Sequence, residues 1–265
     1  MNQSFIIGQY VPSDSLIHRL DPRTKIVIVF FYVIVTFSAE TWASYLILFS
    51  FAGLAALSSK IHPLFILKGL KPIWFIIILT FILHLFIQRQ GNELFSIAGY
   101  PIYDQAIIQA TIISSRLFLL ILMTTLLTLT TTPISITDAV ETILKPLKKI
   151  KVPVHEMALM MSISLRFIPT LLDETDKISK AQASRGIDFR TGKWRDRIKA
   201  IFALLIPLFM SSFKRAEELA TAMEARGYRG DIGRTKFREL KFTNLDVQVF
   251  ILFLLMAAAF FYFNN

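Results

Sequence analysis

The sequence VQVFILFLLMAAAFFYF, residues 247–263, has no charged side chain over its whole length. A transmembrane helix needs about 20 predominantly apolar residues, so this segment reaches most of the way across a bilayer as one helix. Four further apolar runs precede it, at residues 26–37, 42–57, 72–86 and 106–129. The repeated pattern predicts an all-α integral membrane protein with about five transmembrane helices, and six spans is the alternative count.

The composition of the 265-residue chain agrees with this class. Hydrophobic residues make up 54% and charged residues only 18%, whereas a soluble domain has about 45–50% apolar and about 25% charged residues. There is no Cys, which excludes disulfides, thiolate metal sites and cysteine nucleophiles. The four histidines are scattered along the chain and show no ligand spacing, so neither a metal nor a cofactor is predicted.

The positive charges are distributed asymmetrically around the apolar runs. If the N-terminus is cytoplasmic, 27 of the 29 lysines and arginines lie in cytoplasmic segments, while Arg89 lies in an outside loop and Arg116 lies within an apolar run. Basic residues accumulate on the cytoplasmic side of a membrane. We therefore expect a multi-pass protein with a cytoplasmic N-terminus and an extracellular C-terminus. This orientation also accounts for the net charge of +10 without nucleic-acid binding.

The spacing of the apolar runs divides the chain into three parts. Residues 1–130 hold the first four transmembrane helices, residues 131–245 form a cytoplasmic domain, and residues 246–265 hold the last transmembrane helix. Within the cytoplasmic domain the pattern predicts two long helices, at about 154–185 and 194–226. At about 1.5 Å per residue, each would be about 45–50 Å long.

Apolar side chains surround the first half of each long helix, at residues 157–172 and 200–213. The second of these segments is too short to cross a bilayer comfortably, and the first contains Arg166 and Pro169, so we expect both to lie along or just under the membrane surface. A helix that is apolar all round must be covered. Packing of the two helices against each other and against lipid is one interpretation, and a Met- and Phe-rich surface on which membrane partners dock is the other.

A short internal repeat ends both long helices, AQASRG at residues 181–186 and AMEARG at residues 222–227. Gly suits the left-handed position after a helix, and Arg in the last turn complements the helix dipole, so each copy alone is explained as a helix end. Two copies at the ends of matched helices favour a pair of equivalent docking points. An exposed Arg there can present its planar guanidinium to a partner's carboxylate or carbonyl.

Two further polar features lie in or beside the apolar runs. Arg116 is costly inside a membrane, and both a buried structural role and snorkelling to the interface are open interpretations. The sequence LDPRTK at residues 20–25 predicts a helix start capped by Asp21, with Arg23 and Lys25 at the lipid headgroups.

No constellation of catalytic residues is evident in the sequence. Residues 186–194 superficially resemble a phosphate-binding loop, but the spacing is one residue too long, Trp194 replaces Ser or Thr, and no strand precedes the loop. We therefore predict that the chain cannot hydrolyse ATP by this motif.

Together these features resemble the transmembrane T component of energy-coupling factor transporters and its cobalt-transport permease relatives. The resemblance is carried by HRLDPRTK at residues 18–25, TTTP at residues 130–133, the apolar segment 157–172 with LRFIP at residues 165–169, and both Arg-Gly helix ends.

The resemblance implies a non-catalytic scaffold in the cell membrane of a prokaryote, whose cytoplasmic domain of coupling helices links two ABC-type ATPase subunits to a small membrane S component. That S component would bind the vitamin or metal that is taken up. The resemblance places ATPase docking at the two helix ends, Ser184, Arg185, Gly186, Ala225, Arg226 and Gly227. It places the S component on the apolar halves, at Met157, Met160, Met161, Phe167, Phe202, Leu205, Phe209 and Met210.

Two other function classes are weighed against this one. A stand-alone secondary transporter or channel requires a polar pathway between the spans, yet the spans contain little beyond Ser, Thr, His84 and Arg116. A membrane-embedded transferase requires a carboxylate or His cluster at the interface, and none is evident in the sequence.

Overall fold

The computed structural model describes residues 10–97, 100–187, 194–230 and 240–264. Helices form almost all of the regular structure in these ranges, which confirms the all-α class. In chain order they are α1 (Leu16–Arg19), α2 (Pro22–Phe37), α3 (Trp42–Ser58), α4 (Pro63–Ile87), α5 (Asp104–Thr130), α6 (Pro133–Leu144), α7 (Val154–Ser184), α8 (Trp194–Ala225) and α9 (Asn244–Asn264), with a 3-10 helix at Lys145–Ile150. Strands β1 (Glu93–Ile97) and β2 (Tyr100–Tyr103) form an antiparallel hairpin that the apolar pattern does not predict.

Each of the five predicted apolar runs coincides with a helix. α5 and α9 are long and apolar enough to cross a bilayer, and α4 meets the same requirement when its two parts, Pro63–Lys71 and Ile73–Ile87, are taken as one span. α2 and α3 are shorter, at 16 and 17 residues. A helix shorter than the hydrocarbon thickness cannot be accommodated by tilting, which shortens its reach further, and instead requires a locally thinner bilayer, snorkelling of flanking side chains or oligomerisation. Two or three of the described helices therefore meet the length requirement, and the count of five spans stays a prediction.

Contacts divide the chain into two compact units, Met1–Thr142 with Leu240–Asn265, and Ile143–Glu239. The sequence instead places these boundaries at residues 130 and 245. The first boundary differs because α6 is amphipathic and buries Ala139 completely, so most of this helix belongs to the first unit.

The core of the first unit lies among α2, α3, α5 and α9. Tyr32 of α2 is fully buried, and its hydroxyl donates to the carbonyl of Leu48 at 3.1 Å. The ring of Phe51 stacks on Tyr32 with 5.8 Å between centroids and meets Phe253 of α9 edge-on at 5.8 Å. Leu119 of α5 is also fully buried in this cluster. Aromatic side chains thus join the N-terminal helices to the last helix.

A buried carboxylate joins the start of α9 to the start of α2. Asp246 is 1% exposed and accepts from the backbone N–H of Asp21 at 2.8 Å. It also accepts from the N–H and the hydroxyl of Thr243, at 2.8 and 2.6 Å. Asp21 caps α2 by accepting from the N–H of Arg23 at 2.8 Å, and Pro22 occupies the first turn, as the sequence predicts.

Lys25 departs from its predicted place at the lipid headgroups. It is buried, and its Nζ donates to the carbonyl of Thr130 at 3.0 Å and to Oγ1 of Thr131 at 3.2 Å. Arg23, in turn, donates to the carbonyl of Leu240 at 3.1 Å. The expectation is wrong for Lys25 because the end of α5 supplies acceptors that sequence alone does not bring near it. The segments LDPRTK and TTTP therefore form one polar joint among α2, α5 and α9.

Candidate functional site

The second unit contains the two long helices on which the sequence places the docking sites. α7 and α8 have 31 and 32 residues, which corresponds to about 47 Å each. Each helix ends one residue before the predicted terminus, at Ser184 and Ala225. Residues 188–193, which form most of the loop excluded above as a phosphate-binding site, lie outside the described residues.

Polar contacts between α7 and α8 define how the two helices run. The side-chain amide of Gln182 donates to the carbonyl of Ala203 at 3.1 Å. Eight residues back along α7, Glu174 accepts from the hydroxyl of Ser211, which lies eight residues forward along α8. The Glu174 carboxylate also lies 3.0 Å from the guanidinium of Arg215. The helices are therefore antiparallel, and the C-terminal end of each lies beside the first half of the other.

The two Arg-Gly ends have the same backbone geometry. Gly186 and Gly227 adopt left-handed conformations, with φ of 84° and 73°. In each end the glycine N–H bonds the carbonyl three residues back, and the following N–H bonds the carbonyl five residues back, which is the Schellman motif. The distances are 2.9 Å for Gly186 to Ala183, 3.1 Å for Ile187 to Gln182, 2.8 Å for Gly227 to Glu224 and 3.0 Å for Tyr228 to Met223.

The six residues of these ends, which we call the two tips, are all exposed: Ser184, Arg185 and Gly186 in the first tip, and Ala225, Arg226 and Gly227 in the second. Neither Arg185 nor Arg226 makes a side-chain ion pair with another described residue. Among the described residues no acceptor takes up the donors of either guanidinium, which leaves them for a partner.

The conformation of the tips gives a direct test of their rigidity. A Cβ built on Gly186 or Gly227 meets no atom within 4 Å, so substitution by Ala costs only the backbone energy of a positive φ. We expect Gly186→Ala and Gly227→Ala each to cost about 1 kcal/mol and to speed amide exchange in the last turn of the helix. Asn tolerates this conformation better and should cost less. Hydrogen exchange followed by mass spectrometry measures the effect.

Gly53 in α3 provides the matched control for the tip glycines. It also has no atom within 4 Å of a built Cβ, but it lies inside a helix and lacks a positive φ. Ala there should leave the protein as stable or more stable. If the amides in the last turn of α7 exchange as fast in Gly53→Ala as in Gly186→Ala, the role assigned to the left-handed turn is contradicted.

The apolar surface predicted on the long helices is largely uncovered. Phe202, Phe209 and Met210 of α8 are 57%, 64% and 67% exposed, and Met160 of α7 is 59% exposed. Leu205, Met157 and Met161 are exposed as well, whereas Phe167 is half-buried between the helices. On α8 the exposed apolar residues recur at helical spacing and form one stripe, Ile201, Phe202, Leu205, Ile206, Phe209, Met210 and Phe213. Packing of α8 on α7 therefore uses the opposite face of α8, and this stripe stays exposed among the described residues.

Arg116 lies in α5 and contacts the end of α2. Its guanidinium donates to the carbonyl of Ala39 at 3.1 Å and lies 5.6 Å from the centre of the Phe37 ring. This contact favours the structural interpretation over snorkelling, because the donor satisfies a carbonyl just beyond the last turn of a neighbouring helix.

A cleft of about 260 Å³ lies in the first unit among α1, α2, α3, α5 and α9. Its lining is apolar apart from Lys25, Ser58 and Thr130, and the ammonium of Lys25 already bonds Thr130. This lining differs from the row of polar groups that a stand-alone transporter requires.

The sequence did not single out Glu174, Ser211 or Arg215, which form one of the polar contacts between the long helices. A signal was available, because Glu174 and Arg215 lie at equivalent positions, eleven residues before the Arg of each tip. Their pairing depends on the antiparallel register, which local patterns do not encode.

Comparisons with known proteins agree on one family. The profile of the cobalt transport protein family, CbiQ, matches residues 13–237. A curated relative, the energy-coupling factor transporter transmembrane protein EcfT of Bacillus subtilis, is 53% identical over 263 residues, covering 99% of both chains. The protein of the same name from Listeria innocua is 47% identical over 265 residues, covering all of both chains. That from Ruminiclostridium cellulolyticum is 53% identical over 249 residues, covering 94% of this chain and 93% of the relative.

Proposed function

The chain belongs to the CbiQ family, among the transmembrane proteins of energy-coupling factor transporters, and on this premise we propose that it is the scaffold that couples two ABC-type ATPase subunits to a small S component. The family resemblance derived from the sequence motifs is confirmed. As the transmembrane component of such a transporter, the protein acts in a membrane together with partner subunits. The identity of those partners and the substrate class belong to the proposal.

The observation that carries the proposal is the matched pair of tips. Both are exposed, both end long helices with the same Schellman turn, and both present an Arg without an ion pair to another described residue. A single tip would serve only as a helix end, but two equivalent tips fit two equivalent partners. Two ATPase subunits that close on each other offer such a pair of sites.

The apolar stripe of α8 and the exposed methionines of α7 fit the S component. Met and Phe side chains repack readily, so one surface can accept different membrane proteins. The substrate, a vitamin or a metal ion, would be bound by that S component and not by this chain. The distribution of Lys and Arg favours tips on the cytoplasmic side, where ATP is available.

The mechanism then follows from the stiffness of the helices. Closure of the two ATPases on ATP moves the tips, and α7 and α8 carry that motion to the apolar surface on their own first halves. The reorientation of this surface tilts the S component or releases it together with its substrate. The ATPase partners hydrolyse ATP, so the contribution of this chain is mechanical.

Affinity purification from native membranes in mild detergent, with mass spectrometry of what co-purifies, tests the proposal. We expect two ATPases and a small membrane protein with the wild type. Phe202→Asp with Phe209→Asp should lose the small membrane protein by about tenfold or more and retain the ATPases, because two carboxylates would be desolvated in an apolar contact. The conservative pair Phe202→Leu with Phe209→Leu is the control and should retain both partners.

A chain that purifies alone from native membranes would contradict the proposal. The alternative, a stand-alone secondary transporter or channel, predicts substrate movement by the purified chain in liposomes without any other protein. The scaffold predicts none.

A further inference from the structure

The polar contacts between α7 and α8 include one ionic cluster, formed by Glu174, Ser211 and Arg215. The side chain of Glu174 is 19% exposed and that of Arg215 is 37% exposed, and their charged groups are 3.0 Å apart. Ser211 donates to the other carboxylate oxygen of Glu174. The oxygen that faces Arg215 is buried and has no aligned hydrogen bond, so the charge of Arg215 is what compensates it. A partly buried carboxylate in this setting depends strongly on its partner.

The helices separate on the side of this cluster that leads to the second tip. A cavity of about 330 Å³ lies between them, lined by Phe167 and Leu171 of α7 and by Leu219 and Met223 of α8, with Arg215 at its edge. Packing between the two helices is therefore incomplete along this part of their length. This increases the contribution of the polar contacts at Glu174 and Gln182 to the relative position of the helices.

The ionic cluster is equally distant from both tips. Glu174 precedes Arg185 by eleven residues, and Arg215 precedes Arg226 by eleven residues. At about 1.5 Å per residue, each tip lies about 16 Å along its helix from the cluster. Because the helices are antiparallel, these two equal arms extend in opposite directions from the point where the helices meet.

We propose that Glu174 and Arg215, with Ser211, are positioning residues that fix the crossing point of the two coupling helices and thereby the spacing of the tips. The inference rests on the proposed function, since it assigns these residues a role in coupling. If the two helices shift along each other at the crossing point, the tips still bind the ATPases. A given displacement of the tips then no longer produces a fixed displacement of the apolar surface. Glu174 and Arg215 therefore determine how much substrate is transported for each ATP hydrolysed.

Charge exchange tests this role in the assembled complex reconstituted in liposomes. Arg215→Glu should place two carboxylates together and lower substrate uptake per ATP hydrolysed by about tenfold, and Glu174→Arg should act likewise. The double variant Glu174→Arg with Arg215→Glu restores an opposite pair and should return the ratio to within about twofold of wild type. Asp176 and Lys180 form an exposed ion pair within α7, so Asp176→Lys with Lys180→Asp is the matched control and should leave the ratio unchanged.

A distance measurement reports the same property independently of transport. The chain contains no Cys, so spin labels on Ser184→Cys and Ala225→Cys introduce the only two labelling sites. We expect a narrow tip-to-tip distance distribution in wild type, a broader one in Arg215→Met, and a narrow one again in the charge exchange. Arg215→Met removes the charge and keeps an apolar stem, and it replaces Arg215→Glu if that variant does not fold.

The outcomes separate this inference from the proposed function. If the wild type brings no ATPases with it, the proposed function fails. If the ATPases co-purify but the single variants keep both the wild-type uptake per ATP and the narrow distance distribution, only the positioning role is overturned. An assembled charge exchange that fails to restore the ratio overturns it as well.

Discussion

Reversing the charge of both tips, Arg185→Glu with Arg226→Glu, is expected to abolish association with the ATPase subunits and, with it, substrate uptake. Each Arg is exposed and makes no ion pair with a described residue, so its donors are available to an acceptor on a partner. A Glu carboxylate at this position has no donor for the acceptor on the partner, so the attraction is lost. Its negative charge also repels that acceptor. Over two sites we expect the loss to exceed about 100-fold in the amount of ATPase co-purified.

The small membrane protein should remain bound to this double variant, because the apolar stripe of α8 is unchanged. The control is Lys177→Glu with Lys199→Glu, which makes the same change of charge at exposed positions on the same two helices. It should retain the ATPases. If the tip variant retains them too, the assignment of the tips is wrong, whatever else co-purifies.

Single reversals distinguish the two tips. If the partners are equivalent, Arg185→Glu and Arg226→Glu should each reduce ATPase association, and their combination should reduce it further. Arg→Lys at both tips keeps the charge but loses the planar array of donors, so an intermediate loss would indicate recognition of a carboxylate or carbonyl by that geometry. No loss with Lys would indicate attraction by charge alone.

Local features of the sequence predicted the elements that carry the tips. The Arg-Gly ends mark the C-termini of α7 and α8 to within one residue, because a glycine after the last helical turn adopts a conformation that other residues resist. The five apolar runs likewise coincide with helices, since hydrophobicity over a run is a property of neighbouring residues. The class of the protein and its candidate tips are therefore readable from the chain itself.

Contacts between distant segments were not predicted in the same way. Glu174 and Arg215 lie 41 positions apart and meet only because α7 and α8 are antiparallel in one register. Lys25 reads as a headgroup anchor until Thr130 and Thr131 supply its acceptors. Such pairings depend on how helices pack, and packing is decided by the whole arrangement and not by any one segment.

Replacing Asp246 by Ala is expected to destabilise the protein strongly. Its buried carboxylate accepts three hydrogen bonds, one from Asp21 at the start of α2 and two from Thr243 just before α9. Ala would leave these donors without an acceptor, at a cost of about 3 kcal/mol or more. In a chain of this size that corresponds to an apparent melting temperature lower by about 6–10 °C, measured in detergent by tryptophan fluorescence.

Asp14→Ala is the matched control, because Asp14 is an exposed carboxylate paired with Arg19 and its loss should not shift the melting temperature measurably. Asp246→Asn keeps one acceptor oxygen and should fall between the two. If Asp246→Ala has the same apparent melting temperature as Asp14→Ala, the polar joint is dispensable, and the aromatic contacts of Phe253 suffice to hold α9. If it melts far below, the carboxylate is a main link between the last helix and the first helices, in addition to the aromatic contacts, and the motif LDPRTK supplies the other half of that joint.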